Sequence, residues 1–329
     1  MRIVGYIAGV LGLALLVTLL LRSDVPAMLQ TFASAGWQIL WLVPYRALYF
    51  LLYAIGWSSL LRPYDPGQQA GIGYIFWVTS VRDGIDRLLP VASVGGGVVG
   101  VRLLRWRGLP LAPVSATVIA EIVLTLIASY AFTALGLGLL VGLTTAVAQY
   151  RRFMLMFLLS LPVPAVIVIL LRYGSVFARL QRFLRPLVGA TLSHGAESLD
   201  RELRACISRW RGSLSAGLLQ FAALTMGSFE VWFALRLFGH PVDVATAVIL
   251  ESMTQAMRHV AFMVPAGLGV QEVTLVLVGH LLGVSSELAL AVSMAKRIRE
   301  VLCGVPALLS WQWMEGRRLR RVASRSGEL

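Results

Sequence analysis

Residues 111–148 form a run of 38 residues that carries a single charged side chain, Glu121. A helix crosses about 30 Å of hydrocarbon with about 20 residues at 1.5 Å each, so a run this long and this apolar belongs in a bilayer. Further runs of spanning length lie at residues 3–21, 37–60, 153–171, 213–238 and 288–313. Over the whole 329 residues, 58% are hydrophobic, only 14% are charged and the mean hydropathy is +0.78, more apolar sequence than one soluble core uses. The chain reads as an all-α polytopic membrane protein with about six full spans. The first run follows Arg2 and has no small-residue cleavage site directly behind it, so it reads as an uncleaved span. The third is long enough to tilt or to kink near Gly136, Gly138 and Gly142.

Two segments break this rhythm, at residues 71–104 and 242–282. The first carries Arg82-Asp83-Gly84-Ile85-Asp86-Arg87-Leu88-Leu89-Pro90 and runs into Gly95-Gly96-Gly97. The second carries Met257-Arg258 and runs into Val264-Pro265-Ala266-Gly267-Leu268-Gly269-Val270-Gln271-Glu272. Proline removes a backbone donor and breaks a helix, and charged Pro/Gly interruptions at matching places in two halves mark the substrate site of many transporters. Each is read as a re-entrant helical hairpin, because non-helical backbone at membrane depth is tolerated only where protein or a watery cavity covers it.

Orientation follows from arginine. Eight arginines (Arg172, Arg179, Arg182, Arg185, Arg201, Arg204, Arg209 and Arg211) lie between the fourth and fifth spans, and short basic loops stay cytoplasmic. This places the loop at 172–212, both termini, Arg62, the Arg102-Arg105-Arg107 cluster and the basic tail at 315–329 inside; only Arg151-Arg152 disagrees. The first hairpin then opens from the cytoplasm and the second from outside. The two prolines stand 265 − 90 = 175 residues apart, and the same offset carries Glu121 onto Lys296 and Trp57 onto Trp232. Two copies of three crossings, at about 1–148 and 153–314, would make an inverted repeat with a pseudo-two-fold axis in the membrane plane.

The net charge of +13 is spread between hydrophobic runs, so it sets topology and does not point to nucleic acid. Lys296 is the only lysine and no glycine-rich loop precedes it, which excludes a P-loop. Two cysteines, Cys206 and Cys303, make no disulfide framework. His194, His240, His259 and His280 show no metal-ligand spacing; a packed, hydrogen-bonded role suits His259. Ser80, Ser93 and Ser252 lack a recognisable His and Asp motif. No cofactor, metal or catalytic residue is expected. The segment from Arg179 to Arg211, interleaved with Phe177, Leu180, Phe183, Leu184 and Leu187, reads as an amphipathic helix on the inner leaflet.

The candidate substrate-binding residues are the charges and breaks themselves. On the first hairpin they are Arg82, Asp83, Arg87, Pro90, Gly95, Gly96, Gly97 and Arg102; on the second, Glu251, Arg258, Pro265, Gly267, Gly269, Gln271 and Glu272. On the third span of each half they are Glu121 and the set Lys296, Arg297, Arg299 and Glu300. Charges in a span cost a few kcal/mol unless they face a partner or water. One reading has the cations meeting an anionic or polyhydroxyl headgroup; the other is an internal salt-bridge network pinning the halves together. Glu121 is the expected opposite charge for Lys296, free helix N-termini after Gly97 and Gly269 are expected to face the headgroup, and Glu272 is expected to cap the returning helix.

At these motifs the chain resembles the flippase-like family that includes the membrane region of bacterial lysylphosphatidylglycerol synthases. It is most similar to the hopanoid-associated branch. The resemblance rests on Val81-Arg82-Asp83-Gly84 with Leu88-Leu89-Pro90, on Phe132-Thr133-Ala134-Leu135-Gly136-Leu137-Gly138, on Glu251 through Glu272, on Lys296-Arg297-Ile298-Arg299-Glu300 and on Trp311-Gln312-Trp313-Met314-Glu315-Gly316. It implies a multi-span lipid translocase of the bacterial inner membrane, most plausibly for hopanoids, with membrane lipids and lipid-synthesis or export proteins as partners. Alternatives are a transporter of anionic phospholipid, a scaffold for lipid-synthesis enzymes and a membrane enzyme acting on a headgroup. The synthases' soluble aminoacyl-transfer domain has no counterpart after the last span, so that activity is not expected. Relatives tend to carry extra charge after the acidic residue of the third span, where this chain has Ile122 and Thr125.

The topology is testable with single cysteines in a background lacking Cys206 and Cys303. His240→Cys is expected to react with a membrane-impermeant thiol reagent from outside only, and Arg201→Cys from the cytoplasm only. Labelling of position 240 solely from the cytoplasm would overturn the orientation.

Overall fold

The computed structural model describes residues 25–89, 95–143, 159–160, 162–174, 193–261, 264 and 267–326, together with 18, 21 and 179. Among them are eleven α-helices and no strand. These are α1 (Val25–Ser34), α2 (Leu42–Leu61), α3 (Ile72–Leu88), α4 (Gly95–Arg105), α5 (Leu111–Leu143), α6 (Pro162–Tyr173), α7 (Ser193–Ser208), α8 (Trp210–Leu237), α9 (Val244–Val260), α10 (Val270–Leu281) and α11 (Ser286–Ser326). A 3-10 turn at Gly36–Trp41 leads into α2, and another at Arg62–Tyr64 follows it.

Three helical stretches are long and apolar enough to cross a membrane: Gly36–Tyr64, Leu111–Leu143 and Trp210–Leu237. Each coincides with an expected span. The run at 288–313 lies inside α11, which continues past it to Ser326, so the described part of the basic tail is helical. Of the run at 153–171, α6 covers the end; most of the run at 3–21, together with Arg151-Arg152, Phe177, Leu180, Phe183, Leu184 and Leu187, lies outside the described residues.

Both interrupted segments are helix pairs with a break between the arms. Residues 71–104 become α3 and α4, and residues 242–282 become α9 and α10. The glycine run after the first break and the Gly267/Gly269 pair after the second, at φ +59° and +76°, start the second arms; the left-handed φ at Gly269 is one that a side chain would resist. The second arms hold 11 and 12 residues, about 16 to 18 Å, short of a full crossing. Pro90 and Pro265 themselves lie outside the described residues.

Packing joins the two halves crosswise. The first arm α3 packs on α11, the first arm α9 packs on α5, and α2 lies along α8. Small residues allow these approaches: a Cβ at Gly56 would lie 3.5 Å from Ala216 Cα, and one at Gly84 would lie 3.2 Å from Gly304 Cα. The long α5 runs unbroken to Leu143, and Gly136 is spent on contact with α9. One core gathers Leu42, Val231, Leu235, Leu250, Leu275 and Ala291, and a second gathers Trp57, Leu61, Val78, Ile85, Leu103 and Val114. The amphipathic helix α7 turns its apolar face inward: Leu203 and Cys206 pack with Ala116, Ala120 and Leu60. The apolar residues expected to lie on the inner leaflet, Phe177 to Leu187, fall outside the described residues.

The Gly136 contact gives a stability test. A Cβ at Gly136 would fall 1.7 Å from Ser252 Oγ and 2.7 Å from Ser252 Cβ, and rotation of the hydroxyl relieves only the first. Gly136→Ala is expected to destabilise the detergent-purified protein by about 1–3 kcal/mol through overpacking, read as a lower melting temperature. Adding Ser252→Gly should recover part of the loss; strict additivity of the two changes would exclude the contact.

Candidate functional site: a buried ion network

On α3 the order Arg82, Asp83, Asp86, Arg87 puts Arg82 with Asp86 on one face and Asp83 with Arg87 on another, since residues four apart share a face. Arg82 donates to Glu121 of α5 at 2.6 Å, with its guanidinium 4.4 Å over the Trp57 ring. Asp83 accepts from Arg46 of α2 at 2.9 Å and lies 3.5 Å from Arg87. Arg87 reaches Glu300 of α11 at 3.0 Å.

On α11 the successive charges leave in three directions, as 100° per residue requires. Lys296 donates to Glu251 of α9 at 2.5 Å, Arg299 donates to Glu230 of α8 at 2.8 Å, and Arg297 lies between Glu272 of α10 at 3.2 Å and Glu300 at 3.3 Å. The expected Glu121–Lys296 pair is not formed. Glu121 of α5 is taken by Arg82 of α3, and Lys296 of α11 by Glu251 of α9. Arg82 and Glu251 come close enough to satisfy these two charges, so neither needs the other.

Glu300 is the hub. Arg87, Arg297 and Arg258 approach it at 3.0, 3.3 and 3.6 Å. Arg258 also donates to Gln271 at 2.8 Å, Gln271 donates to Ser293, and Ser293 donates to Glu272 at 2.9 Å. Arg297 further donates to the Gly267 carbonyl at 3.3 Å, which draws the start of the second α9/α10 arm into the network. Around the hub stand four guanidiniums, of Arg46, Arg87, Arg258 and Arg297, against three carboxylates, of Asp83, Glu272 and Glu300. Arg46 Nε and Glu272 Oε2 are buried without a hydrogen-bond partner among the described residues. The Lys296 and Glu251 side chains are only 4% and 3% exposed, whereas Arg297 keeps 22% and Arg87 16%. Access to the hub therefore runs through Arg297 and Arg87, since the Glu300 side chain itself is only 2% exposed.

Several expected site residues play other parts. The N-terminus of α4 is not free: the Gly96 N–H donates to Asp86 at 2.9 Å, and a Cβ on Gly96 would sit 2.5 Å from that carboxylate. Gly95 opens α4, and Gly97 lies where a Cβ would come 3.4 Å from Val118. Glu272 sits in the first turn of α10 without capping it; its carboxylate is turned to Ser293 and Arg297. Arg102 stands apart, more than half exposed, paired with Glu315 near the far end of α11. His259 is held by the Gln255 carbonyl at 2.7 Å and lies 3.4 Å from Ser129 Oγ. Sequence reading missed Arg46 and Glu230, which are 4% and 3% exposed. The signal was present in both: Arg46 is the lone charge of the run at 37–60, and Glu230 is the lone acid of the run at 213–238.

The chain matches the family model described as the lysylphosphatidylglycerol synthase TM region over residues 6–306. No curated protein and no solved structure matches it.

The sealed pair can be measured. Lys296→Met alone leaves Glu251 charged and buried, a loss of about 3–5 kcal/mol, while removing both charges can be nearly neutral. Lys296→Met and Glu251→Gln are each expected to lower the melting temperature sharply, with the double variant more stable than either. A double variant showing the summed loss would exclude the pairing.

Proposed function

Because the chain belongs to the lysylphosphatidylglycerol synthase transmembrane-region family, we propose that it moves a lipid between the leaflets of a bacterial inner membrane, as a flippase-type transporter and not as an enzyme. The observation that carries this reading is the hub at Glu300, where arginines from α2, both broken-helix pairs and α11 converge with one guanidinium in excess and with an accessible side. Buried cations are costly, and a scaffold has no use for them. Leaving Arg46 Nε and Glu272 Oε2 unpaired costs about 1–3 kcal/mol each, a cost that a headgroup's polar atoms would remove.

The hairpins are the moving parts of this proposal. They are read as re-entrant, within six spans arranged as an inverted repeat. The offset of 175 that relates Pro90 to Pro265 also carries Gly84 onto His259 and Gly304 onto Ser129. These are the two crosswise contacts already described, Gly84 with Gly304 and His259 with Ser129. The first hairpin is tied to α5 by one ion pair, Arg82 to Glu121, and the second to α11 by three, Glu251 to Lys296, Arg258 to Glu300 and Glu272 to Arg297; the pairs at Glu121 and Lys296 are of reversed polarity. Two rigid units joined crosswise can rock about the hub, which is how repeat transporters alternate access.

For cargo, the motif resemblance favours a hopanoid, whose hydroxyls would accept from the arginines of the hub. A second reading, an anionic phospholipid, is favoured by the count of four guanidiniums to three carboxylates. Leaflet exchange in reconstituted vesicles tests both. Arg258→Gln removes one cation while leaving Glu300 two partners, and is expected to slow exchange about tenfold or more, the worth of one charge-assisted hydrogen bond, at near-normal thermal stability. Unchanged exchange of both a hopanoid and phosphatidylglycerol would overturn translocation at this hub; a loss confined to phosphatidylglycerol would favour the second reading.

A further inference from the structure

Away from the hub, the end of α2, the end of α7 and the start of α8 enclose a recess of about 410 Å³. Three arginines line it, Arg62, Arg209 and Arg211, and none of them forms an ion pair among the described residues. Two stand over aromatic rings: the Arg209 guanidinium lies 4.9 Å from the Tyr64 ring centroid and that of Arg211 5.5 Å from the Trp210 ring centroid. Stacking of this kind fixes a guanidinium while leaving its N–H edge open for an anion. The first turn of α8 adds backbone N–H groups without intrahelical partners, and neither a side-chain cap nor an acidic residue covers them. Burial pushes the Cys206 thiol up to about 11, so this lining group stays neutral, and no carboxylate is among the lining residues.

The surroundings of the recess identify the source of the anion. Along α8 from its rim, Trp210, Leu214 and Leu218 are 65%, 51% and 59% exposed, and their spacing of four puts them on one helix face. An indole at the polar end of an exposed leucine stripe is what a helix presents where the headgroup layer meets the acyl chains. Basic pockets at that level bind anionic headgroups.

We propose that this recess binds the phosphate of an anionic membrane lipid, with the acyl chains lying along Leu214 and Leu218. The site is separate from the hub at Glu300 and is independent of whether the protein moves lipid. The lipid held there would anchor α7 and α8 to the end of α2 by bridging arginines that otherwise repel one another.

Native mass spectrometry of the full-length protein released from mixed micelles provides the test, with phosphatidylglycerol and phosphatidylcholine as probes. Wild type is expected to retain phosphatidylglycerol in preference to phosphatidylcholine. The triple variant Arg62→Gln/Arg209→Gln/Arg211→Gln should lose that preference by about tenfold or more, given about 1 kcal/mol per cation. All three side chains are exposed, so folding is not at stake, and an unchanged melting temperature checks this. Leu218→Ser should weaken phosphatidylglycerol retention while leaving the arginines in place. Equal retention of phosphatidylglycerol by wild type and the triple variant would overturn the site. Displacement of the lipid by excess inorganic phosphate, with Leu218→Ser without effect, would overturn the lipid source and make the recess a site for a soluble phosphate.

Discussion

A charge inside an apolar helix bundle must have a partner, and this constraint organises the protein. Glu121, Glu230, Glu251, Lys296, Arg299 and Glu300 are each at most 3% exposed. In a medium of low dielectric an unpaired carboxylate or ammonium costs several kcal/mol. Arg82–Glu121, Lys296–Glu251 and Arg299–Glu230 discharge that cost in pairs, and each pair fixes which helices are neighbours. Helices of leucine and alanine slide past one another at little cost; an ion pair on the same surface allows one register.

The pairs divide by geometry into fasteners and a hub. Lys296 and Arg299 are sealed against single carboxylates, and removing a partner there disturbs the fold. At Glu300 three guanidiniums share one carboxylate while a fourth, Arg46, is held through Asp83. Because the carboxylate is shared, loss of any one guanidinium still leaves Glu300 paired with the other two. Breaks in the two helix pairs bring Gly267 and Gln271 beside the hub, so a change in its pairing is felt at the start of the second arm.

Much of this was legible before any coordinates. The long apolar stretches gave the helices at 36–64, 111–143 and 210–237, the Pro/Gly interruptions gave two helix pairs, and nearly every intramembrane charge was a site candidate. What sequence reasoning got wrong was partnership. Glu121 and Lys296 were matched through the offset of 175, yet a shared offset says nothing about proximity; Arg82 and Glu251 are nearer. Arg102 was grouped with the hairpin charges by its position in the chain, but α4 points it toward Glu315. Arg46 and Glu230 escaped notice although the rule that singled out Glu121 applied equally to them.

By itself, then, the sequence determined the medium and the list of actors, because hydropathy over 20 residues and the cost of burying charge are local properties of the chain. It also determined where the helices break, since proline and glycine act on their own backbone. Only the tertiary structure decided which charge meets which, that three arginines gather on Glu300, and that Arg62, Arg209 and Arg211 line one recess. Those facts depend on helix rotation and crossing, and side chains far apart along the chain share a site only after the bundle has packed.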